Sequence, residues 1–202
     1  MARMLALTLG LLMGLWTASA PAAPTDDAKA VVEKLHDTLL NAMKDAQKLG
    51  FKGRYALIEP ALRTAFDFET ISRIITGPHW KTLNDAQHLK FIDVFTKLSI
   101  ATYANNFDGF SGEHFETASS EEKRGNMLVK TFLVKSDGKK VDLNYVLQKH
   151  GDAWQIVNVV AEGVSDLSLK RADYTAVIGS EGFDSLIAKL NEKIASYESG
   201  SK

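Results

Sequence analysis

Cysteine is absent from the 202 residues. That excludes a disulfide framework, a thiol nucleophile, cysteine-ligated zinc or iron–sulfur sites, and a lipid anchor on an N-terminal cysteine. An excess of charge is missing too: 24 Lys+Arg stand against 25 Asp+Glu, a net charge of -1. Nucleic-acid affinity comes largely from Lys and Arg neutralising phosphates, so the balance excludes a nucleic-acid binder. Past the first twenty or so residues no apolar run is long enough to span a bilayer. The sequence contains no G-x-S-x-G, no phosphate-binding glycine loop, no G-x-G-x-x-G and no H-E-x-x-H. What remains, 45% hydrophobic and 24% charged, is the composition of a globular chain of one ordinary domain.

The N-terminus reads as an address. Arg3 is a short positive region, Met4 to Trp16 is apolar, and Thr17-Ala18-Ser19-Ala20 is small and polar. This is the layout of a secretory signal peptide over residues 1–22. Ala20 and Ala22 form the best small-x-small site, so the expected mature chain starts at Ala23. Residues 23–27 read as a tether, 28–197 as a single domain and 198–202 as a polar tail. In a bacterium, this places the protein in the periplasm.

Helical spacing dominates the first half of the domain. Val31, Val32, Leu35, Leu39 and Met43 form one stripe between Ala28 and Leu49. Gly50 and Gly53 punctuate it, and a second amphipathic stretch runs from Tyr55 to Phe66. Asp67 is placed to cap a short helix that Gly77-Pro78 ends, and Asn84 or Asp85 to cap a long one reaching Phe107. After Gly109 the period changes to 2. Glu113 to Thr117, Met127 to Lys135, Val141 to Gln148 and Trp154 to Glu162 read as strands, with turns at Asp137-Gly138 and Gly151-Asp152. Helices follow at Leu167 to Ile178 and Phe183 to Tyr197. The expected fold is α+β: a curved antiparallel meander covered by N- and C-terminal helices.

Catalytic side chains are not assembled by spacing. The five histidines, His36, His79, His88, His114 and His150, form no i,i+3 or i,i+4 pair, and most sit in polar windows that read as exposed. Ser165-Asp166 reads as a helix cap rather than a nucleophile, and no metal or cofactor is expected. Large apolar side chains, in contrast, are abundant for one small sheet: Phe66, Phe68, Trp80, Phe91, Phe95, Tyr103, Phe107, Phe110, Phe115, Phe132, Tyr145, Trp154 and Phe183. They fill a core or line a cavity between sheet and helices; composition does not choose.

A resemblance does. Val141 to Ser165, with its Tyr145 strand, Gly151 turn, Trp154 strand and closing Glu162-Gly163-Val164-Ser165, resembles the MlaC (toluene-tolerance type) family of periplasmic phospholipid-binding proteins. Arg171 and Tyr174 sit at the spacing of that family's R-x-x-aromatic element. Phe66-Asp67-Phe68, Arg73, Gly77 and Trp80 match a second block, and Gly182 to Ile187 a third. Ala101-Thr102-Tyr103, the Phe107, Phe110, Phe115 series and Gly163 to Leu167 look most like the hopanoid-associated HpnM branch. Leu169-Lys170-Arg171 departs from the usual Asn-Tyr-Arg.

The resemblance implies a cavity between sheet and helices and a carrier of phospholipid or hopanoid-type lipid. It would move lipid between an inner-membrane complex, ABC-type or RND-type, and an outer-membrane complex. No covalent chemistry is implied. The competing expectation is a periplasmic adaptor without ligand that tethers membrane complexes. The expected pocket wall is Phe95, Tyr103, Phe107, Phe132, Leu143, Tyr145, Ile156 and Val164, each equally a core residue. Arg171 stands between meeting a phosphate at the mouth and capping a carboxylate.

Overall fold

The computed structural model describes residues 24–200. The signal-peptide reading of residues 1–22, Ala23 and the last two residues lie outside them. Helix α1 spans Pro24–Lys44, so the expected tether is largely its first turn. Asp26 and Asp27 in that turn and Lys44 in the last suit the helix dipole. Val32, Leu35 and Leu39 are fully or almost fully buried, as the stripe requires. Helix α2 spans Ala46–Ala65 and kinks at Gly50, where φ is 59°, a left-handed value that glycine adopts without a Cβ clash. Gly53 does not punctuate; it is helical.

Helix α3, Phe68–Thr76, starts on Asp67, whose Oδ1 accepts from Thr70 N at 2.9 Å. A 3₁₀ helix at Gly77–Thr82 follows, and its Trp80 stacks on His88 at 3.9 Å. Helix α4, Asp85–Asn106, opens with a capping box in which Asn84 and Gln87 satisfy each other's backbone N–H.

Five strands then form one antiparallel sheet in chain order: β1 His114–Lys123, β2 Asn126–Val134, β3 Lys140–His150, β4 Ala153–Ala161 and β5 Val164–Ser165. Strand β1 runs further than its polar composition suggests, because it pairs along the whole of β2. Helix α5, Asp166–Glu181, starts on Ser165, whose Oγ accepts from Ser168 N, and helix α6 spans Phe183–Glu198.

The helices lie on one face of the sheet. Helix α1 packs on β1, β2 and β4, and α2, α3 and α5 pack on β4. The core between them contains Leu35, Leu39, Leu62, Ile75, Phe91, Met127, Tyr145, Leu147 and Ile156, and Leu186 of α6. Two irregularities set which side chains reach it. Strand β1 shifts register between Thr117 and Ser119. Strand β4 carries a bulge: Val146 pairs with Asn158 and Leu147 with Ile156, leaving Val157 as the extra residue. The bulge changes the parity of the inward face from Trp154 and Ile156 to Val159 and Ala161. Among the described residues no helix is long and apolar enough to cross a membrane.

Candidate functional site

The core does not close at the end where α4 finishes and β1 begins. There a cavity of about 650 Å³ opens between helices and sheet. Its inner wall is apolar: Leu62 and Phe66 from α2 and its end, Phe68 and Ile71 from α3, and Phe95 and Leu98 from α4. The sheet contributes Leu133, Val141, Leu143, Val157 and Val159. Aromatic rings brace one another along this wall. Tyr103 stacks on Phe107 at 5.7 Å and meets Phe66 edge-on at 6.0 Å, and Phe68 meets Phe95 edge-on at 6.0 Å.

The mouth is polar. The segment from Phe107 to Glu113 rims it with Asp108, Gly109, Phe110 and Ser111; Lys135 stands at the end of β2, and Asp166 and Lys170 on the first turn of α5. Lys170 and Asp166 form an ion pair on that turn, the lysine side chain 27% exposed. Phe110 is 42% exposed, with Lys44 Nζ 5.7 Å from its ring centroid. Such a rim holds a polar group in water while most of the inner wall offers apolar contact.

Polar atoms inside are mostly satisfied by the protein. Ser99 Oγ donates to Phe95 O at 2.9 Å and Thr102 Oγ to Leu98 O at 2.8 Å. Asn158 Oδ1 accepts from Ser165 Oγ and from Leu167 N. Burial raises the Tyr103 phenol above its ordinary pKa of 10.0, with a lesser contribution from the Asp166 charge. Among the described residues no group of three His, Cys, Asp or Glu side chains is placed to hold a metal ion.

Four of the expected wall residues, Phe95, Tyr103, Phe107 and Leu143, lie on the cavity. The other four, and Arg171 expected at the mouth, do not. Phe132 sits on the opposite face of β2, paired with Asp142 and Glu116, with Lys140 Nζ 5.2 Å from its ring centroid. Both faces of β2 are apolar, so alternation alone left its inward side ambiguous; Thr131 and Leu133 are the inward pair. Tyr145 shares a face with Leu143 but is fully buried against His36. Ile156 is fully buried under the Phe66-Asp67 segment, where its O accepts from Asp67 N at 3.0 Å. Val164 is 50% exposed on the short β5. Arg171 is one residue out of phase: its guanidinium lies against Gly77, while Lys170 takes the place at the mouth.

The reading of histidines as exposed fails for His36, which is 3% exposed on α1. Sequence reasoning also missed Leu62, Ile71, Val157 and most of the rim after Phe107 as cavity residues, and it did not choose between core and cavity for Phe66. A Gly-interrupted aromatic segment after a capped helix was the available signal for the rim.

A family model described as MlaC protein matches residues 33–192. The chain belongs to the MlaC protein family. Within it, 123 residues are 23% identical to the intermembrane phospholipid transport system binding protein MlaC of Haemophilus influenzae. That match spans 58% of this chain and 58% of the relative's length. The phospholipid-binding protein of Ralstonia solanacearum, solved in complex with a phospholipid, superposes with a TM-score of 0.75 at 21% identity. The superposition covers 85% of this chain and 99% of that one, and it shows that the two share the α+β fold.

Proposed function

We propose that this MlaC-family protein is a periplasmic carrier that buries the tails of a phospholipid or hopanoid-type lipid in the cavity and leaves the headgroup at the rim. The observation that carries the reading is the apolar cavity of about 650 Å³ that opens through a polar mouth. Taking about 30 Å³ per water, that space equals roughly 20 water volumes, enough for a substantial length of hydrocarbon. Burial returns about 0.8 kcal/mol for each CH₂ removed from water. Tails therefore bind without a charged clamp, and no bond is made or broken. Release needs a partner that opens the mouth or competes for the tails. The fitting partners are an inner-membrane lipid transport complex, ABC-type or RND-type, and an outer-membrane complex, with the N-terminal segment serving for export.

The test is native mass spectrometry of protein purified from cells, followed by lipid extraction. About one lipid per chain is expected, and the extract identifies it as glycerophospholipid or hopanoid. Delipidated protein is expected to take up a fluorescent lipid with little dependence on salt, because tail burial rather than charge supplies the affinity. Protein that carries no lipid and takes none up would instead be an adaptor between membrane complexes.

A further inference from the structure

The cavity wall contains a phenol that the described residues leave unused. Tyr103 sits on α4 one turn before Phe107, its ring fixed between Phe66 and Phe107. Its hydroxyl has no hydrogen-bonding partner among the described residues, and its side chain lines the cavity. The other hydroxyls on this stretch of wall, Ser99 and Thr102, are spent on their own helix. The nearby phenol of Tyr145 is spent on His36. Tyr103 is half-buried, so a ligand that displaces water from the cavity must itself supply the partner of this hydroxyl or leave the bond unmade.

The place of Tyr103 along α4 points to its partner. Phe107 begins the rim, and one helical turn separates it from Tyr103, about 5–6 Å along the axis. With a headgroup at the rim and tails inside, a diacyl lipid brings its ester carbonyls to the zone just below the mouth. Those oxygens accept hydrogen bonds and have none to donate, which suits a phenol O–H. A fused hydrocarbon ring system at the same depth would leave the phenol unpaired. We infer that Tyr103 is a specificity-determining residue that donates a hydrogen bond to an acyl ester carbonyl and so favours glycerol ester lipids over ring hydrocarbons. The inference rests on the carrier reading above and names its ligand class.

The probes are a diacyl phosphatidylethanolamine and its dialkyl ether analogue, with the same headgroup and chain lengths but no carbonyls. Each displaces a fluorescent lipid from delipidated protein. Wild type is expected to prefer the ester lipid by roughly three- to tenfold, the worth of one ordinary hydrogen bond. Tyr103→Phe keeps the ring and is expected to lose that preference, through weaker ester binding with ether binding unchanged. Equal affinities in wild type, or a preference that survives Tyr103→Phe, would overturn the inference and leave the carrier reading standing. Uptake of neither lipid by folded wild type would overturn both. A second measurement needs no variant. The carbonyl stretch of bound, carbonyl-labelled lipid is expected to shift to lower frequency than in an apolar solvent, and an unshifted band overturns the inference.

Discussion

The Tyr145 hydroxyl and His36 Nε2 lie 2.9 Å apart in the core, joining β3 to α1. Phe115 of β1 stacks on the other side of the imidazole, ring centroids 3.8 Å apart and planes within 8°. Nδ1 of His36 has no partner among the described residues. Burial lowers the His36 pKa from 6.5 to about 4, since the charged ring would lose its water and gain no counter-charge. The pair is therefore neutral at pH 7 and stitches the helical layer to the sheet.

This arrangement predicts an acid-sensitive fold. Unfolded chains protonate His36 below about pH 6.5, whereas the native state resists until about pH 4. In that window the unfolded state binds more protons, so stability falls as pH falls and is fully present only above pH 6.5. The total contribution is about 3 kcal/mol. Urea unfolding at several pH values between 7.5 and 4 checks it. His36→Gln, which keeps a partner for Tyr145 but does not titrate, is expected to flatten the slope; an unchanged slope would assign it to other groups.

Leu143→Trp and Val164→Trp separate cavity wall from surface. Leu143 borders the cavity, and an indole there has open space to enter. Lipid uptake is expected to be lost while thermal stability changes by less than the 1–3 kcal/mol typical of an overpacked core. Val164 is half exposed on β5 and off the cavity wall, so its Trp variant is expected to keep both uptake and stability. Loss of folding in Leu143→Trp would mean a filled core at that position.

Arg54 is a buried cation held by carbonyls rather than by a carboxylate. Its Nε donates to Ala104 O at 2.8 Å in the last turn of α4, and one guanidinium nitrogen donates to Ala46 O at 3.0 Å. A cation at a helix C-terminus is favourable, and this one anchors the turn that leads from Tyr103 into the rim. Arg54→Met is expected to cost about 2–4 kcal/mol, because two carbonyls lose charge-assisted bonds. Arg54→Lys, with one nitrogen, should recover only part of it. Chemical denaturation measures both.

Asp67 caps α3 and also lies 3.2 Å from His150 Nδ1 at the end of β3. Burial alone would raise its pKa, but hydrogen bonds from Thr70 and His150 outweigh that and lower it. Asp67→Ala is expected to cost about 1–2 kcal/mol through loss of the cap. Its cost should be smaller in acid, where the wild-type carboxylate is itself protonated. An equal cost at pH 7 and in acid strong enough to protonate the carboxylate would show that the charge contributes nothing.

Local order was readable from residues because it depends on neighbours in sequence. The α1 stripe, the caps at Asp67, Asn84 and Ser165, the hairpin turns at Gly138 and Gly151 and the change of period after Gly109 all follow from spacing and side-chain chemistry. Together they determine an α+β meander with helices on one face. The family blocks between Phe66 and Ile187 were legible for the same reason, as ordered short motifs.

The cavity was decided by contacts between residues far apart in the chain. Phe132 and Leu133 are both apolar strand neighbours, and only the pairing of β2 with β3 turns Leu133 inward. One extra residue at Val157 changes the parity of β4, which pattern reading carried through from Ile156 without a break. Tyr145 has the face but not the opening, because His36, 109 residues away in sequence, covers it. A helix advances about 100° per residue, so the setting of α5 against the sheet brings Lys170 to the mouth and turns Arg171 to Gly77. Sequence determines which residues are apolar and which elements they build. Whether an apolar residue fills space or borders it depends on where packing stops, and that is a property of the assembled layers.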